Sequence, residues 1–441
     1  MNEFKPVFTN PPQDWRKQRL GDFLDRVDTR NVVGDQNVLT ISAEHGLISQ
    51  EEFFSRRVAS ENIAGYYRLI AGDFAYNKSY SRGYPMGAIR RLNRYPSGVV
   101  SPLYICFRPS ASAPVVSDFL AHYFDGGAID TQLADVAKEG ARNHGLLNVS
   151  VKEFFEIETA LPPVEEQRCV AQILETLDTA IRETEAMIDK LKAVKQGLLH
   201  DLLTRGIDAN GQLRPTQSDA PQLYKESQLG WIPREWECTT VSAIADVKSG
   251  ATPSRAMAHL FFAATGINWV KTLDLNEELI YETDERITEQ GLRGSSCVEF
   301  PAGTVLVAMY GGWEQIGRTG LLAVKAATNQ AISALLFRTE RILPEFILRA
   351  MQHGRPRWQQ VAASTRKDPN ITKSDVMDFL LPVPSKPEQE MISGRFRSVL
   401  EQLQIEQHQC LKLKRKKIGL MDDLLTGRVR VTPLLAPGGG A

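Results

Sequence analysis

Residues 162–206 read PPVEEQRCVAQILETLDTAIRETEAMIDKLKAVKQGLLHDLLTRG, and residues 384–428 read PSKPEQEMISGRFRSVLEQLQIEQHQCLKLKRKKIGLMDDLLTGR. The second stretch repeats the first. Glu166-Gln167 matches Glu388-Gln389, and Asp201-Leu-Leu-Thr204 matches Asp423-Leu-Leu-Thr426, with an offset of 222 residues at both ends. No insertion separates the copies, and a repeat of this kind bears on the whole architecture. In the first copy, positions spaced alternately four and three apart are Val170, Leu174, Leu177, Ile181, Thr184, Ile188, Leu191, Lys195, Leu198 and Leu202. Their counterparts are Ile392, Phe396, Val399, Leu403, Glu406, Cys410, Leu413, Lys417, Leu420 and Leu424. A 3.5-residue apolar period over this length predicts a coiled-coil seam on two helices, each about 40 residues or roughly 60 Å long. Polar residues interrupt both seams at the same two positions. In one antiparallel register Lys195 faces Glu406 and Lys417 faces Thr184, a polar layer that would fix register at a cost in stability. In the alternative reading both lysines reach outward to water along their aliphatic stems.

The repeat continues outside the helices, but its offset drifts. Pro12-Gln-Asp-Trp15 echoes Pro233-Arg-Glu-Trp236 at 221, and Asn148-Val-Ser150 echoes Asn370-Ile-Thr372 at 222. Between them, Gly72-Asp-Phe-Ala-Tyr76 echoes Gly303-Thr-Val-Leu-Val307 at 231, and Ile105-Cys-Phe-Arg108 echoes Leu335-Leu-Phe-Arg338 at 230. Each half reads as a mixed α/β domain on a common scaffold with divergent loops, where recognition usually resides. Strands are predicted at Leu69–Tyr76, Val99–Phe107, Val305–Met309 and Ile332–Phe337, and short helices at Ser117–Phe124 and Pro344–Gln352. The stretch 206–229 has linker composition. The fold class is therefore α+β, two mixed domains in pseudo-twofold repeat joined by two long helices that form an antiparallel coiled coil.

Composition narrows the choices. A chain of 441 residues has room for two to four domains, and 42% hydrophobic with 24% charged residues suits ordinary cores. No apolar run approaches the ~18 residues of a membrane span, and residues 1–12 lack a signal-peptide core, so the expected setting is cytoplasmic, without a membrane. Cys106, Cys169, Cys238, Cys297 and Cys410 are scattered, with no C-x-x-C pair, which argues against a disulfide framework or zinc knuckle. A net charge of -1 is low for a nucleic-acid binder, although local patches set the field that a phosphate feels.

The sequence has no phosphate-binding G-x-x-x-x-G-K-[ST] loop, no G-x-G-x-x-G after a strand and no metal-ligand spacing among its seven histidines. Asn10-Pro11-Pro12-Gln13 imitates the Asn-Pro-Pro-aromatic motif of adenine methyltransferases, but Gln13 replaces the ring that would stack on a flipped base. An extended lead-in to the first domain is the expected role. No catalytic residue, metal ligand or bound cofactor is assigned to the chain itself.

Two stretches carry binding chemistry instead. Between Asn62 and Ser117 lie Arg68, Lys78, Arg82, Arg90, Arg91, Arg94 and Arg108 against the single acid Asp73, interleaved with seven tyrosines. Cations among aromatic and amide groups suit phosphate anchoring and base contact. The polar loop after the predicted strand makes Asn77, Lys78, Tyr80, Arg82 and Tyr84 candidate DNA contacts, with Arg90 and Arg91 beside them. In the second half, Tyr310, Trp313, Arg318, Asn329 and Gln330 follow the matching strand. Arg142 and His144 precede the first Asn-x-[Ser/Thr], and Arg366 and Lys367 precede the second. A solvated basic surface is the competing reading.

With these segments in view, the chain resembles the specificity subunits of type I restriction-modification systems. The resemblance rests on Leu161-Pro-Pro-Val-Glu-Glu-Gln167, the Leu-Leu-Thr helix ends, Leu229-Gly-Trp-Ile-Pro-Arg-Glu-Trp236 and Thr328-Asn-Gln330, and it runs from about Trp15 to Val431. It departs from the pattern at Leu381-Pro-Val-Pro-Ser-Lys-Pro-Glu-Gln389 and where Thr426-Gly-Arg428 inverts Arg205-Gly206. It implies two target recognition domains, at 1–160 and 229–383, spacer helices at 161–206 and 384–430, a linker at 207–228 and a flexible tail at 431–441. It further implies double-stranded DNA as ligand, read at two different half-sites. Two methyltransferase subunits would bring S-adenosylmethionine, and restriction subunits, where present, ATP and Mg2+. The alternatives are a specificity subunit of another methylation-based defence complex, a coiled-coil scaffold that reads no DNA, and a divergent enzyme.

Overall fold

Phe74 and Tyr76 point to one face of their strand and Ala75 to the other, the two-residue alternation of a strand covered on both sides. The computed structural model describes residues 8, 11–42, 46–54, 62–79, 84–137, 147–362 and 369–435. The chain divides into two units. Unit 1 comprises residues 1–186 and 407–441, and unit 2 residues 187–406.

Unit 1 is built on a four-stranded antiparallel sheet in the order Leu24–Arg26, Ile105–Pro109, Phe74–Asn77, Ala88–Arg91. On one face, Phe74, Tyr76, Ile105 and Phe107 meet the helices Ser117–Asp125 and Val151–Glu156 and both long helices. On the other, Ala75 and Cys106 meet two short antiparallel pairs, Leu39–Ser42 with Gly46–Ser49 and Tyr67–Ile70 with Ser97–Val100. The predicted strand Leu69–Tyr76 is thus two strands. Gly72 turns with φ +96°, and the buried Asp73 carboxylate accepts the Ile70 N–H at 2.9 Å and a bond from Arg108 at 2.8 Å. The predicted Val99–Phe107 is likewise divided, around Pro102.

Unit 2 repeats this plan with one strand added. Its five-stranded sheet runs Ala245–Ser249, Ile332–Phe337, Val305–Ala308, Thr319–Leu322, Leu279–Ile280, the last pairing parallel. Val305, Val307 and Leu335 face the helix Pro344–Gly354, while Leu306, Ala308 and Ala334 face a second five-stranded sheet. Gly303 turns with φ +84° where Gly72 does in unit 1. The pair Glu299–Phe300 with Ala326–Thr328 takes the place of Tyr67–Ile70 with Ser97–Val100.

The long helices span Val164–Thr204 and Lys386–Leu425. In unit 1, Val170 and Leu174 share a core with Met421, Leu424 and Leu425, and ion pairs join Glu185 to Lys414 and Asp178 to Lys417. In unit 2, Leu198, Leu202 and Leu203 share a core with Ile392 and Phe396. Ascending numbers on one helix meet descending numbers on the other, so the packing is antiparallel. On the first helix Val170, Leu174, Leu177, Ile181, Thr184, Ile188, Leu191 and Leu202 are buried, with Lys195 and Leu198 half-buried. On the second, Ile392, Phe396, Cys410 and Leu424 are buried, and Val399, Leu403, Glu406, Leu413, Lys417 and Leu420 are half-buried.

The polar layer is not the one the spacing suggested. Lys417 meets Asp178 at 2.5 Å rather than Thr184, whose hydroxyl donates to the Ala180 carbonyl of its own helix. Lys195 meets Glu278 at 2.6 Å rather than Glu406. For Lys417 a carboxylate takes the place of a neutral hydroxyl, and for Lys195 the carboxylate of Glu278 takes the place of that of Glu406. The stretch 207–228 is packed rather than free. Ile207 and Arg214 are buried, and Tyr224–Ser227 pairs with Gly230–Pro233. In the expected tail, Val431 is buried and Thr432–Leu435 is helical.

Candidate nucleic-acid interface

In unit 2 the strand Val305–Ala308 ends at a loop held at its base and open at its tip. Met309 donates its N–H to Ala331 O, and Gly317 donates its N–H to Ala308 O, closing the loop. Gly311, Gly312 and Gly317 all take positive φ. Gly317 is irreplaceable on a second ground, because a Cβ there would stand 2.1 Å from Cδ1 of the buried Trp358. Arg355 ties the loop from below, donating to Glu314 O at 2.6 Å and Ile316 O at 3.1 Å while paired with Glu277 at 2.7 Å. Tyr310 and Trp313 are left exposed, Trp313 at 50%, beside a cleft of about 340 Å³ that Arg355 and Gln359 also line. Arg318 bonds within the loop, to Gln315 at 3.3 Å.

The Met309–Ala331 bond brings Asn329 and Gln330 next to this loop. Asn329 is half-buried and caps its own turn through Ala331 N, whereas Gln330 is exposed and accepts from Thr252 Oγ1 at 2.5 Å. Sequence reasoning missed Thr252 and its neighbour Gly250. A Cβ on Gly250 would meet the Thr328 carbonyl oxygen at 2.0 Å, so only glycine lets Ser249-Gly-Ala-Thr252 lie against Thr328-Asn-Gln330. The available signal was Ser249-Gly250 at the end of the alternating stretch Ala245-Asp-Val-Lys248.

Unit 1 places its candidates less openly. Lys78 turns inward and donates to Val149 O at 3.2 Å, and burial holds its ammonium pKa below the ordinary value. Arg90 lies 4.9 Å over the Tyr84 ring, donates to its hydroxyl at 2.5 Å and pairs with Asp125 at 2.5 Å. Arg91 meets Ser117 at 2.9 Å and Asp118 at 2.6 Å, Arg94 pairs with Glu52, and Arg108 with Asp73. Three of the window's seven cations, Arg90, Arg91 and Arg94, are thus paired with acids contributed from outside it. Asn77 is half-buried and accepts the Ser79 N–H. Tyr80, Arg82, Arg142, His144, Arg366 and Lys367 lie outside the described residues. The flanks of those segments converge nonetheless. Leu147, just before the first Asn-x-Ser, donates its N–H to Lys78 O, and Ile371, inside Asn370-Ile-Thr372, donates its N–H to Met309 O. The Ser and Thr of that motif are helix caps, Ser150 closing a capping box with Glu153 and Thr372 with Asp375.

The remaining shared motifs also find their roles. Gln167 accepts Val116 N–H at 2.8 Å at the start of one helix, and Gln389 accepts Leu343 N–H at 2.8 Å at the start of its counterpart. Glu166 binds Arg430, and Glu388 binds Arg214. Among the described residues one potential metal-ligating group occurs, His122, Glu175 and Asp178, with ligand atoms within 4.8 Å of one another. Lys417 and Arg182 already sit on its two carboxylates.

Residues 233–415 match the model of the type I restriction modification DNA specificity domain. Over that stretch the chain is similar to the type I specificity subunits. A putative type I restriction enzyme MjaX specificity subunit of Methanocaldococcus jannaschii is 22% identical over 95% of both chains. The MjaVIII specificity subunit of the same organism is 24% identical over 67% of this chain and 68% of its own. In fold, the type I S subunit from M. genitalium superposes with a TM-score of 0.57 at 12% identity, covering 96% of this chain and 99% of that one. A chain from a structure concerned with assembly and conformational transition of the type I R-M system gives 0.55 at 17% identity, covering 96% and 100%. The Glu-Gln, Trp and helix-end segments that the two halves of this chain share have a structural reading: they anchor each unit to the long helices. No described helix is long and apolar enough to cross a membrane.

Proposed function

We propose that this specificity subunit reads a bipartite, asymmetric DNA site, one half-site per unit, and lends that address to catalytic partners. The observation that carries the reading is the contrast within the duplication. The long helices keep one offset throughout, while the loops that follow equivalent strands differ in length and chemistry, a lysine-tyrosine loop in unit 1 and a glycine-tryptophan loop in unit 2. A fixed ruler with two unlike reading heads suits two unlike half-sites at a set gap.

The chain itself performs no chemistry in this reading. Two methyltransferase subunits dock on it, supplying S-adenosylmethionine and adenine methylation, and restriction subunits supply ATP- and Mg2+-dependent cleavage. The setting is cytoplasmic. Single-molecule methylation sequencing of DNA modified by the assembled complex tests this directly, with a two-part methylated motif as the expected result. An unsplit motif would overturn modular reading. Methyl transfer by the isolated chain would overturn the non-catalytic role, and binding without a steep loss on added salt would exclude phosphate contact.

A further inference from the structure

The loop Asn31–Asp35 of unit 1 belongs to no segment discussed so far. It leaves the sheet after Leu24–Arg26, and its backbone joins the neighbouring strand through Arg68 N–H to Thr29 O at 2.8 Å and Asn31 N–H to Tyr66 O at 3.0 Å. Asn31 is buried and closes the loop from within. Its Nδ2 donates to Asp35 O at 2.9 Å, and its Oδ1 accepts Asp35 N–H at 2.8 Å. Asp35 is bolted in turn, accepting Ser97 Oγ–H at 2.6 Å and Asn37 N–H at 3.0 Å, and Gly34 supplies φ +73°. Between these bolts stand Val32, 86% exposed, and Val33, 65% exposed. Loop tips that merely connect strands are normally polar. Here a five-residue loop uses its polar side chains inward and displays two adjacent β-branched ones outward, each with few rotamers to lose on contact.

We propose that Val32 and Val33 read thymine in the half-site of unit 1, by contact with its 5-methyl group; this rests on the DNA-reading role proposed above. The major-groove edge of duplex DNA offers one apolar handle, that methyl, and aliphatic side chains are its complement. The valines are too short to act as intercalating wedges, which are drawn from larger residues. The surroundings suit DNA. The Asp35 carboxylate is turned inward onto donors, and the exposed Arg30 stands next to the tip, 4.7 Å over the Tyr67 ring. The equivalent loop of unit 2, after Ala245–Ser249, is of opposite character. Thr252 is bonded to Gln330, and Arg255 pairs with Glu285 at 2.7 Å while lying 4.2 Å over Phe262. Methyl reading by this loop is therefore confined to one half-site.

The test uses the full chain assembled with its methyltransferase subunits, on duplexes carrying the motif that methylation sequencing defines. Each thymine of the unit 1 half-site is replaced singly by deoxyuridine, which removes only the methyl. One or two positions should weaken binding about fourfold, the equivalent of one methyl-sized group losing its burial. The V32S/V33S variant, altered only at exposed positions, should bind thymine and uracil duplexes equally and keep its discrimination at the other half-site. Uracil substitutions without effect, or an effect undiminished in V32S/V33S, would overturn the proposal while leaving sequence-specific DNA reading intact. Loss of methyltransferase assembly in V32S/V33S would overturn it in favour of protein docking at this tip. Failure of the unaltered complex to select any sequence would take the parent function down with it.

Discussion

Arg430 donates to both carboxylate oxygens of Glu166, 264 residues earlier, at 3.0 and 2.5 Å. It also forks onto Asp14 at 2.8 and 2.7 Å. Unit 2 holds the same clasp from its own residues. Arg214 donates to Glu388 at 2.5 and 3.2 Å and to Glu235 at 3.4 Å, with Ile207 N–H also on Glu388 at 2.8 Å. In both units an arginine just beyond the end of one long helix grips the glutamate at the start of the other, and the acid preceding a buried tryptophan. The clasps differ in burial. Arg214 and Glu388 are both buried, whereas Arg430 is partly exposed and has the stronger second partner.

That difference sets the first prediction. Glu388→Ala strands a buried guanidinium and a buried N–H together and should cost roughly 3–5 kcal/mol, the usual consequence of halving a buried ion pair. Glu166→Ala leaves Arg430 with Asp14 and access to water, and should cost less than half as much. Urea denaturation of the two variants measures both losses. Equal losses would show that burial does not govern the clasp.

The second prediction concerns the glycines that end the helices. Gly206 and Gly427 adopt φ +68° and +73°. A Cβ on Gly206 would stand 2.4 Å from Glu388 Oε1 and from Trp236 Cζ2, and one on Gly427 2.9 Å from Trp15 Cζ2. Gly211 has φ +76° and nothing within 4 Å. Gly211→Ala should therefore cost only the left-handed conformation, about 1 kcal/mol, while Gly206→Ala should cost clearly more because Trp236 and the clasp must move. Thermal melts that rank the two variants equally would remove the close approach from the argument. The same geometry explains why Thr426-Gly-Arg428 inverts Arg205-Gly206. Each glycine covers its own tryptophan, and the second helix simply ends one residue earlier relative to the repeat.

Here the sequence was legible to different depths for clear physical reasons. The seam could be read because burial on a long helix leaves a periodic trace, whereas the turn at Gly72 was read through as strand because its flanks are apolar on both sides and the Asp73–Ile70 bond that closes it leaves no such trace. Lys195 was misassigned because Glu278 reaches it from outside the helices, and Lys417 because Asp178, beside the seam rather than on it, offers a carboxylate where Thr184 offers only a hydroxyl. The net charge of the basic window of unit 1 is overstated by composition for the same reason. Glu52, Asp118 and Asp125 lie outside the counted patch, or pair across it, and composition has no record of which face they share. The stretch 207–228 has the polar make-up of a linker because its polar groups are used internally, Arg214 most of all. Asn31–Asp35 escaped notice because its informative residues are two valines, which in sequence look like any strand.

A third prediction follows from two histidines. Burial holds His122 below its ordinary pKa, helped by Lys417 and opposed by Asp178, Asp125 and Glu175. Burial also holds His353 low, with His200 and Arg357 adding to the shift. A depressed histidine is neutral in the fold but takes up a proton near pH 6.5 when unfolded. The unfolded chain therefore binds more protons below that pH, so stability is complete above about pH 6.5 and is lost as pH falls toward the folded values. Denaturation midpoints should drop between pH 7 and 5.5. His122→Gln combined with His353→Gln should flatten that slope. The carboxylate of Glu285, held at about 2 by Arg255 and Lys271, titrates far below this window. A slope unchanged in the double variant would assign it to other groups.

The last prediction separates base contact from phosphate anchoring in unit 2. Tyr310 and Trp313 project from a loop whose base is fixed by Arg355 and Trp358, so truncating them removes contact surface without disturbing the fold. Neither carries charge. If they meet bases, Trp313→Ala and Tyr310→Ala should each lower specific affinity by about 1–3 kcal/mol and relax selection at the unit 2 half-site. Discrimination at the other half-site, and the dependence of binding on salt, should stay as they were, because no phosphate contact is lost. Arg355→Ala should act differently. It frees Glu314 and Ile316 carbonyls and Glu277 together, so the loop loses its support and both melting temperature and half-site selection should fall. Competition binding over a salt series, run on duplexes altered in one half-site at a time, reads all of these quantities. An equal loss on both half-sites for Trp313→Ala would mean that this loop does not face the DNA of its own half.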